Sequence, residues 1–541
     1  MQDYDLILRR GTIYDGSGTA PYRGDVAVQG DRIAALGTLD NARGKVEIDV
    51  DGLAVAPGFI NMLSWAVESV IHDPRSQSDI RQGVTLEIMG EGFSMGPLSP
   101  AMKAARTRGI LGNKDIEYEV EWATLGEYLE YLERRGVATN VASFVGSSTV
   151  RIHVIGYDDR PPTPAELDQM CELVRLSMRE GAVGLSSALI YPPASYAKTD
   201  ELIALARAAA EYDGMYISHL RSEGWFFLEA LEEFFTIQRE TGIRAEIYHL
   251  KAAGVPNWPK MDEVIRRVEA ARAEGRPITA DMYMYPAGGT GLDAVIPPWA
   301  HDGGEAALLA RLKDPETRAK IKGAMNANTH DWENMWLEAG SPDNILLAGF
   351  STAALKPLTG KTLAEVAAMR GTPPEDTAMD LLVEDQGRIF AMYFTMSEDN
   401  IRKQVQLPWV SFCSDAESMA PEGAFIKSNP HPRAYGNFSR LLGRYVREAG
   451  LVPLEEAVRR LTSFPAANLR IKERGSLTPG YFADIVAFDP ATIIDHATFA
   501  QPHQYATGMV HVFVNGAQVL KDGEHTGALP GRVVRGPGYG A

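Results

Sequence analysis

Two short stretches constrain the fold more than any others: Met215-Tyr216-Ile217-Ser218-His219 and Ala245-Glu246-Ile247-Tyr248-His249. Each is a mostly apolar run that closes on a histidine, and the two histidines stand 30 residues apart. Between them residues 225–240 carry a helical pattern, and Thr241-Gly242 stops it. Strand, helix and strand at that spacing make one βαβ unit, so the strands run parallel and both histidines reach the same side of a sheet. Imidazoles at neighbouring strand ends suit a divalent transition metal. A single histidine there would more often cap its strand by bonding backbone. Paired in this register, and followed by Ser414-Asp415 after Val410-Ser411-Phe412-Cys413, the two favour metal.

The alternation extends on both sides of this unit. Strand patterns fall at 58–63, 85–89, 141–145, 183–186, 278–282 and 410–415, besides the two that end in histidine. Helical patterns lie at 163–180, 200–211, 262–274 and 374–385, the first opened by Thr163 as a cap and Pro164 in its first turn. Eight strands alternating with helices predict an α/β fold, a (β/α)8 TIM-like barrel, whose active sites sit at the C-terminal strand ends. Both histidines and Asp415 fall at such ends.

The flanks read differently. Residues 1–57 are short strands with turn punctuation, and 25–29 with 32–36 read as a hairpin across Gly30-Asp31. The far end repeats the pattern at 484–488, 510–514 and 518–520, with Asn515-Gly516 as a strong hairpin signal. Neither flank alone has enough strands to bury a core. Residues 1–57 with 476–541 are therefore expected to form one small β-sandwich beside a barrel at 58–475. The span from 287 to about 400 is too long for one crossover and carries Pro297-Pro298-Trp299, a charged helical stretch at 305–322, Asp331-Trp332-Glu333-Asn334 and a possible extra strand at 345–347. It reads as an insertion that is either a lid on the catalytic face or a surface excursion. The glycine-rich tail, 531–541, is expected to be loosely held.

Composition excludes several functions. A net charge of −18 argues against nucleic acid or an anionic membrane as partner. No stretch approaches the roughly 20 apolar residues of a membrane helix, and Met1-Gln2-Asp3-Tyr4-Asp5 does not open a secretory signal, so the expected location is cytoplasmic. Cys171 and Cys413, far apart, make no disulfide framework. A small-molecule partner is expected, in a protein that could also be a homo-oligomer.

A divalent cation on His219 and His249 would lower the pKa of its water towards roughly 7 and polarise a carbonyl. Asp415 could take the water's proton and hand it to a leaving amine, which is amide hydrolysis. Asp415 could equally be a helix N-cap.

The chain is similar, over nearly its full length, to the amidohydrolase superfamily and within it to the N-acyl-D-amino-acid deacylases (D-aminoacylases). The motifs are Pro57-Gly58-Phe59-Ile60, Gly181-Ala182-Val183-Gly184-Leu185-Ser186 with Tyr191-Pro192-Pro193, Ser218-His219-Leu220-Arg221-Ser222-Glu223-Gly224, His249-Leu250-Lys251, Ala280-Asp281-Met282-Tyr283, Ser414-Asp415, and His431-Pro432-Arg433-Ala434-Tyr435-Gly436. Arg474-Gly475-Ser476-Leu477-Thr478-Pro479-Gly480 through Asp484 is a general superfamily mark. The resemblance implies that His219 and His249 are metal ligands and that Asp415 activates water and also touches metal. It implies that Lys251, Tyr191, Tyr283 and Arg433 hold the carboxylate of an N-acyl amino acid. For the tyrosines ordinary packing is the alternative, and for Arg433 a structural ion pair.

Two departures from the family pattern stand out. Where the family has His-x-His after its first strand, this chain has Leu63 and Trp65, which cannot ligate metal. Where the family has Gly-Asn-Cys-Gly, this chain has Gly90-Glu91-Gly92-Phe93. Glu91 matches the Asn, yet a carboxylate between two glycines could swing in as a ligand, and related sugar-amide deacetylases bind one metal with Glu and two His. The alternative is a solvated loop acid. The expected site is thus one zinc ion, or another divalent metal, on Glu91, His219 and His249. Trp65, with Phe93, Met95, Trp225, Phe226 and Phe227, would make the pocket apolar or simply pack the core. The expected activity is deacylation of N-acyl amino acids. The competing readings are hydrolysis of a cyclic amide (hydantoin, lactam or diketopiperazine) and a non-catalytic binder in a dead site.

Overall fold

The long helix between the third and fourth barrel strands shows how local chemistry sets the elements. Thr163 Oγ1 accepts from the Glu166 N–H at 3.3 Å while Glu166 Oε2 accepts from the Thr163 N–H at 2.7 Å, a reciprocal cap on the helix Pro164–Arg179. Gly242, at φ +67°, ends the helix Phe227–Thr241 in the left-handed region that glycine enters without strain. The computed structural model describes residues 2–107, 115–327 and 332–540, so Met1, Asp331 and Ala541 lie outside the described residues.

Eight strands make the barrel. The first three, Phe59–Ser64, Val84–Met89 and Asn140–Ser143, pair in parallel. The third continues as Val145–Gly146, which pairs with the fourth, Gly184–Ala188. The fifth to eighth are Met215–His219, Arg244–Ile247, Ile278–Met282 and Val410–Phe412, each parallel to the one before. The ring closes between the eighth strand and the first. There the Asp415 N–H donates to the Leu63 carbonyl at 2.9 Å and the Trp65 N–H donates to the Ala416 carbonyl at 3.0 Å. Two strands stop short of the sequence expectation for one reason. His249 and Asp415 take φ of +33° and +47°, which ends the ladder, and the His249 N–H donates at 2.6 Å to Asp281 Oδ1.

The two flanks share one nine-stranded sheet. Gln2–Ile13 lies between Tyr22–Gln29 and the parallel Ala54–Pro57, and Ala54–Pro57 pairs antiparallel with Ile485–Phe488. Leu8, Val26 and Ile33 from one flank pack with Ile485 and Phe513 from the other. Asn515 and Gly516, both at positive φ, turn the hairpin between Met509–Val514 and Ala517–Lys521.

The insertion has its own core. Gly288–Gly291, Phe390–Tyr393 and Ile345–Gly349 form an antiparallel sheet over Leu308, Ile321, Val366 and Leu381. Its charged stretch is two helices, Glu305–Lys313 and Pro315–Met325, divided where Asp314 caps the second.

The tail departs from expectation. Through Gly540 it is fastened to the barrel: the N–H groups of Gly531, Val534 and Gly536 donate to the carbonyls of Val137, Val141 and Gly181. A Cβ at Gly531 would lie 2.0 Å from the Thr139 carbonyl oxygen, and one at Gly536 would lie 2.1 Å from that of Ala182. The glycines serve close backbone approach here, not looseness. Among the described residues no helix is long and apolar enough to cross a membrane, and both cysteines are buried and free.

Candidate metal centre

Gly90 and Gly92, at φ +99° and +62°, turn the chain after the second barrel strand so that Glu91 points inward. No larger residue fits at either place: a Cβ on Gly90 would come within 2.5 Å of the Phe144 carbonyl oxygen, and one on Gly92 within 2.7 Å of Ala188 Cβ. Glu91 Oε1 then lies 3.1 Å from His219 Nδ1 and 2.9 Å from His249 Nε2. The two imidazoles stand edge to face, centroids 4.4 Å apart. Glu91, His219 and His249, all buried, offer ligand atoms within 4.8 Å of one another. One carboxylate and two imidazoles converging on one gap form a donor set that fits zinc or a similar divalent ion.

Electrostatics follow from this crowding. Burial alone would raise the Glu91 carboxyl, but the two imidazoles outweigh it and hold the acid well below the usual range. Burial lowers His219. For His249 burial and Lys251 also act downward, yet Glu223 and Glu91 prevail and push it up to about 10.

Glu223 is a residue that sequence reasoning left without a role. It lies four residues after His219, with Oε2 at 3.5 Å from His219 Nε2 and Oε1 at 3.1 Å from His249 Nδ1. Its carboxylate thus lies against the outer nitrogen of His249, the usual place for a group that fixes imidazole orientation, while His219 Nε2 makes no hydrogen bond. The four-residue spacing within the Ser218–Glu223 motif was the available signal. Lys251 is drawn into the same group: Nζ lies 2.7 Å from Glu223 Oε1 and 2.6 Å from His249 Nδ1.

Asp415 stands beside the converging trio, and its oxygens are engaged elsewhere. Oδ2 lies 2.9 Å from Arg433 Nη2, and Oδ1 lies 3.1 Å from Trp65 Nε1. Burial raises its carboxyl above the usual range, against the pull of Arg433. Arg433 is itself buried, and its Nε and Nη1 meet no hydrogen-bond partner. The guanidinium carbon sits 4.3 Å from the Tyr283 ring centroid, and the buried Tyr283 hydroxyl is likewise unpartnered. The Tyr191 ring meets His219 edge-on at 5.4 Å, and the guanidinium carbon of Arg388 lies 5.8 Å from the Tyr191 ring centroid, so the insertion reaches the site. The structure therefore gathers every sequence-predicted site residue at one end of the barrel. Of the expected apolar lining, Met95 and Phe227 belong to the barrel core.

Known proteins share both the sequence pattern and the fold. Residues 46–520 match the family model described as Amidohydrolase family. The chain is 35% identical over 538 residues to a D-aminoacylase of Alcaligenes xylosoxydans xylosoxydans, covering 98% of each chain. It superposes with a TM-score of 0.81 on the N-acyl-D-glutamate deacylase of Bordetella bronchiseptica complexed with zinc and a phosphonate mimic of the tetrahedral intermediate. That match is 31% identical and covers 99% of this chain and 100% of the other. A D-aminoacylase described as having a binuclear metal centre, with one-metal activation and second-metal attenuation, also superposes at 0.81, with 33% identity over 98% of this chain and 100% of the other.

Proposed function

The chain belongs to the amidohydrolase family, and from that premise we propose that it deacylates N-acyl-D-amino acids with one bound zinc ion. The convergence of Glu91, His219 and His249 within 4.8 Å carries the reading. The D hand comes from the names of the relatives. These three residues would hold the ion, which when bound makes water more acidic and polarises a carbonyl.

The remaining chemistry belongs to the chain. Asp415 accepts a proton as water oxygen bonds the amide carbon, then delivers a proton to the nitrogen as the C–N bond breaks. Arg433 spends one nitrogen on Asp415 and keeps Nε and Nη1 for the substrate carboxylate. Unpaired buried donors are costly, and an anion beside them removes that cost. The Tyr283 and Tyr191 hydroxyls add direction, and Lys251 adds positive charge while tied to Glu223. Glu223 keeps the His249 imidazole turned toward Glu91. The insertion acts as a lid through Arg388, and the reaction takes place in the cytoplasm.

The test is elemental mass spectrometry of the purified protein followed by turnover on matched N-acyl-D-, N-acyl-L- and cyclic amides. About one zinc per chain is expected, with activity on the D series that is lost to a chelator and restored by zinc. A metal-replete protein that hydrolyses only cyclic amides, or nothing, overturns the proposal.

A further inference from the structure

The Trp65 side chain stands between two buried carboxylates. Its single N–H lies 3.1 Å from Glu91 Oε2 and 3.1 Å from Asp415 Oδ1, a hydrogen bond shared between two acceptors. These are the oxygens left over by the other partners. Glu91 Oε1 faces the imidazoles and Asp415 Oδ2 faces Arg433. The half-buried indole packs against the barrel core, and the backbone that carries it is fixed. The main-chain N–H of Trp65 donates to the Ala416 carbonyl and that of Asp415 to the Leu63 carbonyl, so backbone on both sides locks the end of the first strand to the end of the eighth. Leu63, fully buried one strand period before, offers no ligand atom.

We infer that Trp65 is a positioning residue, whose indole N–H holds Glu91 and Asp415 at a fixed separation where a second cation would otherwise be needed. The inference rests on the proposed function, in which Glu91 ligates the metal and Asp415 is the base. Glu91 is held on its other oxygen by the imidazoles and Asp415 by Arg433, and a positive edge between the two facing oxygens lowers the repulsion that would turn them apart. The indole supplies that edge without charge and without an open coordination position. It therefore sets the aim of the base and the orientation of the ligand together, and it leaves room for one ion only.

The experiment compares wild type with Trp65→Phe and with a chain carrying benzothienylalanine at position 65, an indole isostere that lacks only the N–H. Zinc affinity is measured by titration of the metal-free protein, and kcat and KM on an N-acyl-D-amino acid. Folding of each variant is checked by its thermal transition. Zinc binding weakened tenfold or more, with kcat down tenfold or more at a KM within threefold of wild type, is expected for both variants. Zinc affinity within twofold of wild type in the folded isostere variant overturns the inference, and so does a rise in KM at unchanged kcat, which would make Trp65 a wall of the pocket. Uptake of a second zinc by the wild-type site also overturns it. If wild type hydrolyses no N-acyl amino acid, the proposed function fails, while the zinc titration still decides what Trp65 does.

Discussion

Arg433 grips Asp415 with one nitrogen, Nη2 to Oδ2 at 2.9 Å, and leaves its other two guanidinium nitrogens buried and unpartnered. A structural ion pair would spend the fork on the carboxylate, so this one-handed grip is the mark of a cation kept for a second anion. Arg433→Lys should raise KM for N-acyl amino acids tenfold or more, because an ammonium cannot serve both carboxylates in that geometry. Truncating the substrate carboxylate to an amide should cost wild type a similar factor and the variant little. Steady-state kinetics on the four combinations checks this.

The metal trio predicts a graded loss. Glu91→Ala should leave well under one zinc per chain, whereas Glu223→Gln, which removes only the charge behind the imidazoles, should weaken zinc binding by about 10–100-fold without abolishing it. Elemental analysis after dialysis against graded chelator separates the two.

The base predicts the acid limb of the rate profile. Burial holds the Asp415 carboxyl above its ordinary value near 3.9, and the residue must be ionised to take a proton. Activity should therefore fall as pH is lowered and Asp415 takes up a proton. Asp415→Asn should cost at least about 100-fold in kcat. A kcat profile from pH 4 to 9 on the zinc-loaded protein measures both.

Stability has a separate pH signature. Burial, with Asp281 beside it, pushes Glu246 up to about 8. A folded pKa raised above the unfolded value favours the folded state fully below about pH 4, and that contribution is lost as pH rises through about 8. Glu246→Gln should therefore flatten the decline in stability between those limits. Denaturant melts at pH 5, 7 and 9 test it, each tenfold gain in the proton affinity of Glu246 on folding being worth about 1.4 kcal/mol.

Much of this architecture was legible in the sequence because it is written in side-chain periodicity. The barrel strands, the Thr163 cap and the Asn515-Gly516 turn all announce themselves by residue type and spacing. The histidine strand ends were legible for the same reason. What stayed hidden depends on backbone direction. Glu91 could be seen as an acid between glycines, but its inward turn follows from the positive φ of Gly90 and Gly92, which composition does not orient. Trp65 showed its bulk in the sequence and not the aim of its N–H. The tail misled because backbone bonds, unlike core packing, leave no apolar pattern.

The pairing of Ala54–Pro57 with Ile485–Phe488 joins segments some 430 residues apart. At about 5–20 residues per second, a ribosome needs on the order of 20–90 s to supply the second strand after making the first. Through that interval the edge of Ala54–Pro57 that awaits Ile485–Phe488 has no partner from its own sheet. The barrel can close on itself sooner, since its first and eighth strands are both made before residue 415 is passed. Cotranslational assembly would thus proceed from the catalytic barrel outward, with the waiting edge of the flanking sheet the segment most in need of a chaperone.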